Sequence, residues 1–354
     1  MQVVGDRVEP WWRDRGVWLG LGVVAAVAGL DVVARVQLTG AYATGAIVAG
    51  MVASARRTAA VGVVAVVVSL AGGVWSGNLG EREWLVRTFM CVVLAALAVT
   101  SATVRERREA RLRRLRTIAE TAQRALLRPV PPVVGRFRVA TRYLSAARDT
   151  TVGGDLYDVA LTADGRLRLV VGDVRGKGLE AVQTAGAVLA AWRQAALGEP
   201  DPAAVAATVD DLVGRLLEEE EFVTALFVEL DATPGAATAA VASCGHHPPL
   251  VVAPDGAWLL ETDHATTPLG LDPRPAVDRH PLPPGSRVLL YTDGLVEHRD
   301  ERGTFFPLLE EAGALRGRAL DAALDELLVR LHAFGHGHVS GGGDDVALVL
   351  VEVG

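Results

Sequence analysis

The sequence predicts an α+β domain that follows an apolar, four-helix transmembrane region. The chain has 354 residues, which is enough for two domains, and half of them are hydrophobic. Residues 1–142 carry 20 Arg against 9 acidic residues, whereas residues 143–354 carry 15 basic against 33 acidic residues. The acidic second part disfavours nucleic acid as a partner, because it would repel phosphate. Two distant cysteines, Cys91 and Cys244, exclude a disulfide framework and a thiolate zinc site.

Residues 1–104 form the predicted transmembrane region. They contain runs of Val, Ala, Leu and Gly that approach the roughly 20 residues needed to cross a bilayer core. We predict four spans: 17–34, 38–55, 58–75 and 87–104. Arginines cluster in the segments that would lie on one side of the membrane. Arg7, Arg13 and Arg15 precede the first span, Arg56 and Arg57 lie between the second and third, and seven arginines from Arg105 to Arg116 follow the fourth. The positive-inside bias therefore predicts a multi-pass protein of the cell membrane with its second half in the cytoplasm. Three further apolar segments after 17–30 disfavour a cleaved signal peptide.

Residues 105–132 form the predicted linker. A helical pattern ends before Pro129, and its apolar positions step by three and four residues as in a coiled coil. These positions are Leu112, Leu115, Ala119, Ala122 and Leu126. The pattern predicts a homodimer through the 105–128 helix. An arginine-rich helix lying on anionic membrane lipid is the alternative, and the two can coexist.

Residues 133–354 form the predicted soluble domain. Its short β-rich runs are 167–171, 222–230, 237–242, 249–253, 288–291 and 346–353, and its helical stretches are 179–197, 202–220 and 319–334. Strands outnumber helices, and the helices come mostly in consecutive blocks. This order favours a layered α+β domain over a regular βαβ array.

Four aspartates lie beside glycine at the ends of apolar segments: Asp155, Asp173, Asp293 and Asp344. Strand ends fix the direction of a side chain, and glycine permits close approach, so these acids can converge on one point. Four carboxylates together would raise one another's pKa, which makes a divalent cation their natural partner. Oxygen ligands favour Mg²⁺ or Mn²⁺ over zinc, and two such ions can activate a water for hydrolysis of a phosphate ester.

Each of these motifs is weak when taken alone. Asp293-Gly294 is most often a turn, Asp344-Asp345 a solvated loop, and 153–155 a tight turn capped by its aspartate. His246-His247 is more typical of loop packing than of metal ligation, because adjacent side chains diverge. Lys177, the only lysine in the chain, lies between two glycines and gives weak evidence for a phosphate cradle.

Taken in order, the motifs resemble the bacterial PPM-type (PP2C-like) serine/threonine phosphatases of the SpoIIE/RsbU family over residues 120–353. The segments that carry the resemblance are 125–129, 142–144, 152–158, 172–178, 244–250, 268–271, 291–297 and 344–346. The resemblance implies a PP2C-like β-sandwich flanked by helices, with two Mn²⁺ or Mg²⁺ ions at one end. It also implies that the segment 176–187 switches between active and inactive arrangements.

The resemblance also implies a set of ligands. Asp173 would bridge the two metals, with the Val174 carbonyl beside it. Asp155 would serve the second metal, and Asp293 and Asp344 the first. Asp173 and Asp293 are the implied catalytic acids. The first acid of the pair at 344 and 345 is the one that matches the family ligand.

This sequence departs from the family pattern at several positions. Arg175 stands where Ser is commoner, and the segment 244–247 replaces a more usual Ala-Gly-His-Asn. None of the departures removes a metal acid. Arg142 and Arg175 are the candidates for binding phosphate.

The predicted function is that of a membrane-anchored phosphatase, and the resemblance implies that its substrate is a phosphorylated regulator of the anti-anti-sigma type. A membrane scaffold that binds such a regulator without turnover is the first alternative; retention of all four acids disfavours it. A cyclic-dinucleotide synthase is the second, prompted by 153–155, but it leaves Asp293 and Asp344 unexplained.

Overall fold

The computed structural model of the protein describes residues 14–34, 39–75, 79–145, 153–217, 220–335 and 344–353. The chain contacts divide it into two units, Met1–Arg114 and Leu115–Gly354. The predictions for Arg7, Arg13 and the glycine run 341–343 lie outside the described residues.

The first unit is helical. Its helices are α1 (Arg15–Ala34), α2 (Ala43–Val52), α3 (Ala55–Trp75) and α4 (Arg82–Leu126), the last of which continues into the second unit. Within the described ranges, α1, α3 and α4 are long and apolar enough to span a membrane.

The prediction of four spans is therefore wrong by one. Within the second predicted span, 38–55, the described residues form a 3₁₀ turn over Thr39–Tyr42 and the ten-residue helix α2, and α3 already begins at Ala55. At 1.5 Å per residue α2 is about 15 Å long, roughly half of a bilayer core. The helix ends because Ala53 takes an extended conformation, with φ −83° and ψ 165°. Hydropathy identifies the apolar run, but it does not predict the residues at which the helix begins and ends.

Polar contacts within the first unit hold two arginines at one end of its helices. Arg57 Nη1 lies 2.5 Å from Asp14 Oδ2, which joins the start of α3 to the residue before α1. Arg105 Nη2 donates to the Ala53 carbonyl at 2.6 Å, which joins the middle of α4 to the end of α2. Arg57 and Arg105 thus lie at the same end of this unit, near the end of α2 and the start of α3.

The second unit contains two antiparallel sheets. Their strands are β1 (Val133–Val134), β2 (Phe137–Leu144), β3 (Leu156–Leu161), β4 (Leu167–Val174), β5 (Val223–Asp231), β6 (Thr238–Cys244), β7 (Leu250–Val252), β8 (Ala257–Leu259), β9 (Asp278–Pro281), β10 (Arg287–Tyr291) and β11 (Val346–Glu352). The six-stranded sheet has the order β1-β2-β11-β10-β7-β8, and the five-stranded sheet has the order β3-β4-β5-β6-β9.

The helices of this unit lie outside the two sheets. They are α5 (Leu179–Ala195), α6 (Pro202–Val213), α7 (Asp293–Val296), α8 (Leu308–Glu311) and α9 (Leu320–Phe334). Alternate residues of β11 face two cores: Val349 packs in the core shared with the other sheet, and Leu348 packs in the core shared with α9. The α+β prediction is confirmed, and the layers are helices, sheet, sheet, helices.

The end of α4 packs on α5. Ala119 is buried against Val182, and Leu126 packs beside them. The C-terminal half of the predicted coiled-coil seam is thus covered within the chain, whereas Leu112 and Leu115 are 66% and 44% exposed. Dimerisation through this helix stays a prediction.

Candidate active site

Three aspartates meet at one end of the sandwich. Asp155 precedes β3, Asp173 is the last residue but one of β4, and Asp293 begins α7 directly after β10. Because β3 and β4 are antiparallel neighbours, with Leu156 opposite Gly172, the start of one strand lies beside the end of the other. One carboxylate oxygen from each aspartate lies within 4.8 Å of the other two.

Burial and repulsion by neighbouring acids raise the pKa of all three carboxyl groups. Burial, and then the charge of Asp293, raises the pKa of Asp173 to about 7. Burial, and then Asp173, raises the pKa of Asp155 well above its usual range. The pKa of Asp293 is raised by burial and then by Asp344. The three charges are therefore unfavourable together without a compensating cation.

The donor set fits a hard divalent ion. Asp293 Oδ1 is buried and has no hydrogen-bond partner among the described residues. Asp155 Oδ2 accepts a hydrogen bond from Thr292 Oγ1 at 2.7 Å, which fixes that carboxylate. A buried carboxylate oxygen without a hydrogen-bond partner, on a side chain that meets two further carboxylates, is the kind of donor that Mg²⁺ or Mn²⁺ takes.

Asp344 lies beside this cluster and pairs with a lysine. Its Oδ2 is 3.1 Å from Lys177 Nζ. Its charge helps to raise the pKa of both Asp173 and Asp293, so the fourth predicted acid belongs to the same neighbourhood. Three of the predicted ligands, Asp173, Asp293 and Asp344, line one open cleft of about 400 Å³. Lys177 lines the same cleft.

Val174, the predicted carbonyl ligand, lies against Gly154. Its backbone N–H donates to the Gly154 carbonyl at 3.4 Å. A Cβ atom on Gly154 would lie 2.8 Å from the Val174 carbonyl oxygen and 2.5 Å from its Cβ. Only glycine permits this approach, which keeps the Val174 carbonyl beside Asp155.

Two buried residues of the site were not predicted as part of it. Thr292 donates to Asp155 and accepts from the Ala347 N–H at 2.9 Å, so one hydroxyl connects the two sheets. Asp345 accepts from the Gly153 N–H at 3.0 Å and from the Tyr143 hydroxyl. The only available signal for Thr292 was a threonine directly before a candidate ligand at a strand end.

The two adjacent histidines have different surroundings. His246 Nε2 donates to the Tyr291 carbonyl at 3.0 Å, so its Nδ1 accepts from Thr224 Oγ1, also at 3.0 Å. Burial lowers the pKa of His246 to about 4, which keeps it neutral. His247 stacks on the Tyr291 ring with a centroid distance of 6.1 Å. Both contacts are those of loop packing, as the sequence predicts.

The two candidate arginines also differ. Arg142 donates to Asp325 at 2.7 Å and to Asp321 at 2.8 Å, and these partners lie on α9. Arg175 lines the cleft, where its guanidinium lies 5.3 Å from the centroid of the Phe222 ring. Of the two, Arg175 is therefore the one that lies in the cleft with the aspartates.

A β-sandwich between helices, with carboxylates gathered at one end of the strands, defines a PP2C-type phosphatase domain. The family model described as Stage II sporulation protein E (SpoIIE) matches residues 163–354, more than half of the chain. The chain belongs to this family. The resemblance found in the sequence is confirmed, and this assignment replaces the cyclic-dinucleotide synthase alternative.

Solved structures agree with this assignment. The RsbU and RsbW domains of a Mycobacterium tuberculosis protein match with 30% identity and a TM-score of 0.52, over 62% of this chain and 60% of that chain. The SiaA-PP2C domain of Pseudomonas aeruginosa matches with 23% identity and a TM-score of 0.55, over 69% and 97%.

The PP2C phosphatase domain of SpoIIE from Bacillus subtilis, solved with a fragment of its regulatory domain, has 14% identity and a TM-score of 0.50, over 62% and 64%. The chain thus spans less than two thirds of the length of the Mycobacterium and Bacillus chains. The Pseudomonas and Bacillus structures are similar in fold. The second unit is a PPM-type phosphatase domain of the SpoIIE/RsbU kind.

Proposed function

We propose that the protein is a membrane-anchored, metal-dependent protein serine/threonine phosphatase. The observation that carries the proposal is the meeting of Asp155, Asp173 and Asp293 within 4.8 Å, together with the unpartnered Oδ1 of Asp293. With Asp344 and the Val174 carbonyl, these residues would hold two Mn²⁺ or Mg²⁺ ions. Asp173 and Asp293 are the central acids of the set.

The residues around these acids prepare the site for phosphate-ester hydrolysis. Paired divalent ions supply a water of lowered pKa and orient it toward phosphorus. Thr292 fixes one oxygen of Asp155, so that carboxylate is held in one orientation before any substrate arrives. Neutral His246 adds no charge to the site. Arg175 and Lys177 give the cleft positive charge to receive a phosphate dianion.

The proposed substrate is a phosphoserine or phosphothreonine on a regulator of the anti-anti-sigma type. Support comes from the SpoIIE family assignment and from the 30% identity to an RsbU domain that was solved together with an RsbW domain. The cleft is open to solvent, which suits a phosphorylated side chain that projects from a folded protein.

The first unit is proposed to anchor the protein in the cell membrane as a multi-pass region over residues 1–104. Support comes from the three apolar helices and from Arg57 and Arg105, which lie at one end of that unit. The phosphatase domain, 133–354, would then lie in the cytoplasm, joined by the linker 105–132. Contact of the linker with anionic lipid and homodimerisation through 105–128 belong to the same proposal.

Turnover by the full chain in detergent micelles tests the activity. With Mn²⁺, the protein should hydrolyse p-nitrophenyl phosphate and a phosphoserine protein, and chelator should stop both reactions. Asp173→Asn should lower turnover about a thousandfold, because a lost metal ligand removes several kcal/mol of transition-state stabilisation.

Asp255→Asn, in the exposed turn between β7 and β8, is the matched control and should leave the rate unchanged. Metal-independent turnover, or unchanged turnover in Asp173→Asn, would reject the mechanism. Binding of the phosphorylated regulator by the wild type without any turnover in Mn²⁺ would favour the scaffold alternative.

A further inference from the structure

The only lysine of the chain lies in the cleft and pairs with one of the predicted metal ligands. We propose that Lys177 is a tethered cation with two alternative partners. One partner is Asp344, and the other is the phosphate of the substrate once a divalent ion has taken Asp344. This inference rests on the proposed function, since it concerns the same cleft.

The position of Lys177 makes it a competitor for the metal. Its ammonium lies 3.1 Å from Asp344 Oδ2, while the other three acids cluster among themselves. Two positive charges on one carboxylate repel each other. A divalent ion bound by Asp344 would therefore weaken the contact with Lys177, and Lys177 in turn opposes binding of the ion.

The contact is weak enough to be exchanged. The side chains of Lys177 and Asp344 are 44% and 41% exposed, and ion pairs so exposed contribute little because water screens them. By contrast, a dianionic phosphate in the cleft offers an ammonium group a stronger, charge-assisted hydrogen bond.

The backbone around Lys177 allows the exchange. Gly176 and Gly178 have φ values of +113° and +97°, a region that favours glycine, and no atom lies within 4 Å of the position where Gly176 would carry a Cβ. Lys177 thus lies between two glycines in an exposed turn just before α5. A change of partner needs movement of this turn and no repacking of the core.

The choice of lysine fits this role. Lysine is a compact ammonium on a flexible stem with three donors, so it can turn from one anion to another, whereas arginine binds through a rigid fork. The neighbouring Arg175 is already fixed, since it lies over Phe222 and donates to the Glu220 carbonyl at 2.6 Å. A chain that uses arginine at every other basic position has lysine here.

The test measures binding by the full chain in detergent, without turnover. Mn²⁺ affinity is read from the electron paramagnetic resonance signal of free Mn²⁺. In Lys177→Gln this affinity should rise about three- to fivefold, because an exposed competing ion pair is removed.

The second reading is equilibrium dialysis of radiolabelled inorganic phosphate against the Mg²⁺-loaded protein. Its affinity should fall about tenfold in Lys177→Gln, because one charge-assisted hydrogen bond is lost. Lys177→Arg keeps the charge and should bind phosphate within about threefold of the wild type. Arg274→Gln, at an exposed arginine outside the cleft lining, should change neither affinity.

Unchanged Mn²⁺ affinity in Lys177→Gln overturns the inference, and so does unchanged phosphate affinity. The failure of the proposed function has a different signature: the wild type would hydrolyse no phosphate ester while both affinities shift as expected. Because Lys177 is exposed on an open turn, both variants are expected to fold, and their melting temperatures should match that of the wild type.

Discussion

The two ends of strand β4 differ in whether a buried charge has a partner of opposite charge. Near its start, Arg168 lies opposite Glu229 of β5, and near its end Asp173 lies opposite Thr224 of the same strand. Arg168 Nε donates to Glu229 Oε2 at 2.7 Å, with both side chains no more than 5% exposed. Asp173 is surrounded by further carboxylates instead. Two strands thus carry a compensated charge at one end and an uncompensated one at the other.

The compensated end serves the packing of the domain. Arg168 also donates to the carbonyls of Ala196, Glu199 and Pro200, which ties the connection between α5 and α6 to the sheet. At the other end, the Thr224 hydroxyl gives its proton to His246; it lies 3.4 Å from the Asp173 backbone carbonyl oxygen and donates no hydrogen bond to the Asp173 carboxylate. The comparison teaches that missing compensation, more than burial itself, distinguishes the functional site from a structural ion pair.

The largest effect is expected at the compensated end. Arg168→Leu should lower the free energy of unfolding by about 3–5 kcal/mol. The substitution leaves Glu229 buried with one partner fewer, and three backbone carbonyls lose the hydrogen bonds that Arg168 donates. Chemical denaturation of the full chain in detergent measures it. Arg138→Leu removes an ion pair with Glu352 in which the arginine side chain is 60% exposed, and it should cost less than about 1 kcal/mol. Equal costs for the two variants would contradict the distinction.

A smaller effect is expected at the uncompensated end. Thr292→Val removes the hydroxyl that fixes Asp155, so Mn²⁺ affinity should fall about tenfold. Titration calorimetry measures this change. Thr292→Ser keeps the hydroxyl and should restore the affinity. The role of Thr292 is refuted if the valine variant binds Mn²⁺ as tightly as the wild type does.

The third effect is a slope with pH, and one group contributes less than about 1.4 kcal/mol per pH unit to it. In chelator, the pKa of Asp173 is about 7 in the folded protein and near its usual value of 3.8 in the unfolded chain. Between these two values the folded protein keeps the proton of Asp173 and the unfolded chain has lost it. The folded state binds more protons in this window, so stability from this group is lost as pH rises from about 4 to 7.

The variant Asp173→Asn isolates this contribution. Its melting temperature in chelator should fall less steeply between pH 4 and pH 7 than that of the wild type. Ion-paired carboxylates such as Asp325, whose pKa Arg142 lowers, act with the opposite sign in both proteins and cancel in the difference. Identical slopes for the two proteins would show that Asp173 does not contribute to the pH dependence of stability.

Much of the phosphatase domain could be predicted from the sequence because its signals are local. Alternating or continuous apolar runs predicted β4, β5, β10 and β11 to within a few residues. The acids beside glycine at strand ends predicted the meeting of Asp155, Asp173 and Asp293. Each of these signals lies within a few positions of the feature it predicts.

The remainder depends on contacts between distant residues. Thr292 and Asp345 matter through partners on other elements, and nothing in their own neighbourhood shows this. The apolar seam near Ala119 was predicted to face a second chain, but periodicity gives the apolar face and not what covers it. Hydropathy likewise does not distinguish α2 from a full-length span.

The most direct test of the central claim is the number of Mn²⁺ ions that the full chain binds at neutral pH. Electron paramagnetic resonance should count two tightly bound ions in the wild type, and Asp173→Asn should lose them while Asp255→Asn keeps both. A wild type that binds no Mn²⁺, or an Asp173→Asn variant that binds it unchanged, would contradict the claim that the uncompensated carboxylates at the end of β4 form a cation site.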